Sequence, residues 1–206
     1  MPYGPKNEEK AMKAMTAIAG RMDRVERSLV GLAGMLMLLA CIIPIWRINL
    51  RSPQYPEGLK LAIHTRHITG NVQSINILNH YIGMKPISDT AFPEFTWMMP
   101  ALATIGAVLL LAALLGRREG VWPGRLLLFG FDGYMLWDLY HWLYDWGHNL
   151  DPRAAIRVPP FTPPLLGFER VANFMVFSYP SFGGVCVMLA SFIGGYTLWY
   201  AVSHSS

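Results

Sequence analysis

Charge is what this chain has least of. Asp, Glu, Lys and Arg make up 15% of its 206 residues, against about 25% in typical soluble proteins. Cysteine is nearly absent: Cys41 and Cys186 each sit inside an apolar run, with no CxxC spacing, so neither a disulfide framework nor a thiolate metal site is expected. There is no run of five basic residues, and the net charge of +4 is that of a chain bordering anionic lipid, not of a nucleic-acid binder. No phosphate-binding glycine loop, nucleophile elbow, HExxH or CxxCH occurs, and neither does an internal repeat or a low-complexity tract. With none of the usual soluble catalytic machinery, the chain is not expected to be an enzyme on its own.

What is abundant is apolar residue, 53% of the chain, and it is clustered. Uncharged runs fill the intervals between Arg27 and Arg47, between Glu94 and Arg117, and between Arg170 and His204. Each reaches the roughly 20 residues that cross a bilayer core. A fourth run, from Leu126, is as long but carries Asp132, Asp138, His141, Asp145 and His148. The expected fold is therefore an all-α membrane protein with four transmembrane helices, over 29–46, 95–116, 126–149 and 171–202. An amphipathic segment, 1–28, precedes them with Met12, Met15, Ile18, Met22 and Val25 at helical spacing. Lys6, Lys10, Lys13, Arg21, Arg24 and Arg27, with Arg117, Arg118 and Arg125 in the loop 117–125, place both termini in the cytoplasm of a bacterial inner membrane by the positive-inside rule.

Two longer segments, 47–94 and 150–170, then face outward as a cap. In the first, Leu59, Leu61 and Ile63 alternate, Thr69-Gly70-Asn71 reads as a turn, and Val72, Ile75 and Ile77 follow; a short β-hairpin over 58–78 is expected. The second is dense in proline and reads as an extended strap.

The stretch DLYHWLYDWGH, residues 138–148, is the most chemical part of the sequence. At 100° per residue Tyr134, Asp138, His141, Asp145 and His148 share an arc of about 80°. A charge facing lipid near the bilayer centre costs at least about 2.5–3.5 kcal/mol, so this stripe should face protein or water. Carboxylates and imidazoles alternating along a helix suit a metal site; a structural His–Asp network and a proton relay use the same groups. His141 and His148 stand roughly 10 Å apart along the axis, so one ion cannot take both, and a complete site needs donors from elsewhere. The outer segment offers His64, His67, His80 and Met84. His80 and Met84, at i,i+4 in LNHYIGM, combine an imidazole with a thioether and favour copper. The candidate metal ligands are thus His141, His148, Asp138, Asp145, His80 and Met84, with either Asp also able to orient an imidazole.

PQYPEGL, LNHYIGMKPI, FPEFTWMMP and YDWGHNLDP, in that order, resemble an uncharacterised bacterial membrane protein family associated with copper-enzyme gene clusters, especially the maturation machinery of nitrous oxide reductase. The similarity covers residues 43–175 and implies a copper-linked respiratory context. A weaker resemblance is to the copper-binding membrane subunit of ammonia and methane monooxygenases, where Asp and His on a membrane helix bind copper; here Asp138 and His141 are three residues apart instead of four. The function expected is copper binding or handling, with membrane lipid and a protein of a copper-enzyme pathway as partners. The alternatives are a structural subunit of a larger membrane enzyme without its own metal, or a copper oxidase or monooxygenase subunit.

Overall fold

A computed structural model describes residues 20–171 and 173–203. The amphipathic expectation for the N-terminal segment lies outside the described residues up to position 19.

The chain divides into two compact units, one formed by residues up to Leu39 with Ala101–Phe131 and Cys186–Ser206, the other by Ala40–Pro100 and Asp132–Val185. In the first unit, helix α1 (Arg24–Ala40) starts where Asp23 accepts the backbone N–H of Glu26 at 2.7 Å, satisfying one of the donors a helix start leaves unpaired. Close approach of α1 to the 101–115 part of α3 (Glu94–Leu115) depends on glycine: a Cβ on Gly34 would lie 2.8 Å from Leu110 and 2.9 Å from the Gly106 carbonyl. Arg27 donates from its guanidinium to the carbonyls of Ala113 and Leu114 at the end of α3, acceptors that have no partner within the helix.

The second unit is built on an antiparallel sheet, and this overturns the all-α expectation. Strands β1 (Trp46–Ser52), β2 (Tyr55–Ile63), β3 (Ile68–Gly70), β4 (Gly167–Val171) and β5 (Phe174–Pro180) pair in the order β3-β2-β1-β5-β4. Trp46 lies opposite Ile63 on one side and Pro180 on the other. Helix α2 (Val72–Ile82) covers one face, where Leu59, Leu61 and Ile75 form the buried core.

Each expected element can be compared with what forms. The run 29–46 was long enough only by counting the turn residues 41–45 and Trp46, the first residue of β1: α1 stops at Ala40, and its 17 residues extend about 26 Å against a hydrocarbon core of about 30 Å. In the run 171–202, Val171 ends β4, the aromatic-rich Phe174–Pro180 forms β5, and helix α5 (Phe182–Ser203) begins after it. Helix α4 (Val121–His148) forms over the third run, but its aspartates and glycines leave it too polar to count as a span. Two helices, α3 and α5, are long and apolar enough to cross a membrane, so the four-span, all-α architecture is not what this chain builds. The hairpin turns at His64–His67, where β2 meets β3, and Val72–Ile82 is helix. Val72 and Ile75 pack at helical spacing, while Ile77 points outward.

Candidate functional site

The Asp/His stripe and the His80–Met84 segment both belong to the second unit. Aromatic packing sets the frame. Phe92, just before α3, stacks on Trp146 at 5.3 Å and meets Trp142 edge-on at 5.0 Å, and Trp97 packs against Tyr134 at 5.5 Å. These contacts bracket Glu94 and set it opposite Asp138.

Asp138 is buried, and so is Glu94; their carboxyl groups face one another at hydrogen-bonding range. Burial, and next the charge of Glu94, push the Asp138 carboxyl up from its ordinary 3.8 to about 6, against a smaller opposing pull from His141. Oε2 of Glu94 is buried with no hydrogen-bond partner. His141 is exposed and stacks on Trp137 with centroids 5.5 Å apart. Asp145 accepts from Lys85 Nζ at 2.8 Å and from the Asn149 side-chain amide, and the Lys85 bond holds its carboxyl below the usual range. His148 stacks on Tyr144 at 3.8 Å with Nδ1 3.0 Å from the Tyr144 carbonyl. The stripe is thus divided among separate partners, and no group of three or more His, Cys, Asp or Glu able to hold a metal occurs among the described residues. A chelate borne by α4 alone does not fit these residues.

His80 and Met84 are placed differently. His80 ends α2, Gly83 takes the left-handed conformation at φ 80°, and Met84 N–H donates to the Asn79 carbonyl at 2.8 Å. Only glycine fits at position 83: a Cβ there would lie 2.7 Å from the Asp151 carbonyl oxygen. The strap is fastened here, since Asp151 N–H donates to the Gly83 carbonyl at 2.8 Å and Ile156 N–H to that of Tyr81 at 2.9 Å. At its far side Phe161 N–H donates to the Gly147 carbonyl, where a Cβ on Gly147 would overlap the Phe161 carbonyl. Between α2 and the strap lies a half-open cavity of about 590 Å³, lined by His80, Met84, Lys85, Asn149, Asp151 and Arg153 among others.

His64 and His67 flank the β2–β3 turn. Their rings stack at 4.5 Å, His64 lies 3.2 Å from the Thr69 hydroxyl, and burial, followed by the charges of His67 and Arg47, lowers the pKa of His64. The sequence reading missed Glu94 and Lys85. Glu94 served only to bound an apolar run, and as an acidic residue in the first turn of α3 it carries no local sign of a buried partner.

Comparison with family models, with curated proteins and with solved structures gives no match.

Proposed function

We propose that this chain is a bacterial membrane protein that handles copper as cargo, taking monovalent copper at His80 and Met84 and passing it to a partner in a respiratory or copper-enzyme pathway. The observation that carries this reading is that an imidazole and a thioether line the same half-open cavity. Thioether sulfur selects monovalent copper, and imidazole binds it as well. A two-donor set suits transfer better than storage. Lys85 and Arg153, on the same cavity, repel a cation and further limit retention. Support for the membrane setting comes from the first unit, whose surface carries Leu111, Leu114, Leu115, Phe192 and Trp199, a larger apolar surface than water-exposed proteins carry.

Titration of the full chain in detergent with monovalent copper, against a chromophoric competitor, tests this. His80→Ala and Met84→Leu should each weaken binding by about tenfold or more, the equivalent of ~1.4 kcal/mol, with the protein still folded. Equal affinity in the native chain and both variants would overturn the reading.

A second reading, a metal-free subunit of a larger membrane enzyme, is favoured by one observation. Tyr134, Trp137, Tyr140 and Tyr144 stand exposed along α4, and aromatic residues of this kind dominate binding energy at protein interfaces. Native mass spectrometry of gently solubilised membranes separates the two: the chain alone with copper supports the first, and a metal-free chain within a defined heavier complex supports the second.

A further inference from the structure

We propose that Glu94 and Asp138 form a proton-binding site, in which two buried carboxyl groups share one proton and exchange it with solvent along the α4 face that carries His141. The two residues come from different helices, and each is only 7% exposed. Among the described residues neither carboxyl has a Lys or Arg in ion-pair range. Two ionised carboxylates cannot occupy hydrogen-bonding range without a cation, because both oxygens are acceptors and the charges repel. One proton resolves both problems: it supplies the missing donor and removes one charge.

The buried Oε2 of Glu94, which meets no donor, fits the same need. A charged oxygen buried without a partner is far costlier than the same atom in a neutral acid, so burial also favours the protonated pair. The elevated titration of Asp138, near 6, agrees with this geometry. The titratable groups facing Asp138 are Glu94 from α3, and Tyr134 and His141 from α4 itself. His141 and Tyr134 both reach solvent; His141 is exposed one turn along from Asp138 and acts on the Asp138 charge.

This site does not depend on copper, and it can stand or fall separately from the His80–Met84 reading. Infrared difference spectroscopy of the full chain in lipid nanodiscs, recorded across a pH series, tests it by the carbonyl stretch of a protonated carboxyl. The native chain should show such a band persisting well above the ordinary carboxylate range. Asp138→Asn should abolish or displace the band, and Glu94→Gln should move its midpoint to lower pH, because the neutral amide removes the neighbouring charge while keeping the shape. His141→Ala should move it upward through loss of the opposing charge. Both carboxyl substitutions are near-isosteric, and retained near-ultraviolet circular dichroism certifies the fold. Absence of the band in the native chain, or a band with unchanged midpoint in Asp138→Asn and Glu94→Gln, would overturn the proposal. Loss of the band on adding copper at constant pH would overturn it too, by making the pair a metal site.

Discussion

The two units differ in how they hold their charged groups. In the sheet-bearing unit the arrangement is that of a water-soluble fold: Leu59, Leu61 and Ile75 are interior, while Lys60, Lys85 and Asp145 reach the surface or the edge of the strap. In the other unit Met37, Leu102 and Leu128 are interior, but many large apolar side chains also point outward, Leu115 and Phe192 each 73% exposed, while Glu26 is 1% exposed and Arg125 2%. Glu26 accepts from Arg118 at 2.9 Å, Arg125 donates to Thr197 at 2.8 Å, and Tyr200 donates to Asp23 at 2.9 Å. A charge buried among apolar side chains must find a protein partner, and these do. The sheet unit can leave a carboxylate to water, and so the burial of Glu94 and Asp138 there is the exception that points to a use.

The largest effect is expected from removing a buried charge in the first unit. Glu26→Ala leaves Arg118 without its acceptor and Arg125 without a nearby opposite charge. Loss of one partner of a buried pair costs about 3–5 kcal/mol, enough to lower steady-state abundance several-fold. Quantitative immunoblotting of membrane fractions reads this directly; an unchanged level would mean that water reaches the network.

Next in size is Gly83→Ala. The left-handed backbone and the overlap with Asp151 should cost about 1–3 kcal/mol, concentrated where the strap meets α2. Proteolysis within residues 150–160 should accelerate while the first unit stays protected. Uniform loss of both would show that the units do not unfold separately.

The third prediction concerns pH and has a defined sign. Asp138 titrates near 6 in the native chain against an ordinary 3.8, so between these values the native state binds more protons than the unfolded one. Its contribution to stability is therefore full below 3.8 and is lost as pH rises through about 6. Asp138→Asn should remove that part of the slope when unfolding midpoints in detergent are followed from acidic to neutral pH. A slope identical to native would place the titration elsewhere.

Single features were legible beforehand while the fold class was not, and the failures have physical causes. Apolar runs mark burial or lipid but do not state the conformation. Trp46–Ser52 and Phe174–Pro180 lie in or beside such runs, and each becomes a strand because β1 and β5 find one another across the chain, a pairing that no local window contains. Val72–Ile82 shows the converse, a short apolar segment whose helical period was mistaken for alternation. The stripe on α4 was visible as a pattern, and Asp138 did prove buried. Its partner was not visible, because Glu94 lies 44 positions away by number and is drawn in by Phe92, Trp142 and Trp146. The strap was legible from its prolines, but its attachment at Gly83 and Gly147 depends on backbone groups that carry no side-chain signature.

The smallest effect sharpens the contrast between carboxylates within one helix. Asp145 is seven residues from Asp138, yet it pairs with a Lys85 side chain that is 52% exposed, and solvent screens most of that attraction. Asp145→Asn should cost about 0.2–1 kcal/mol, and less in high salt. Its pH signature has the opposite sign to that of Asp138: Lys85 holds the carboxyl below its ordinary range, so the stabilisation is present above that range and is lost as pH falls through the depressed value. Thermal unfolding of Asp145→Asn and Asp138→Asn in parallel, at low and high salt, should therefore give a small salt-sensitive loss for the first and a salt-insensitive change of pH slope for the second. Equal salt sensitivity would mean that both carboxylates face water, and the separation between the exposed pair and the buried pair would collapse.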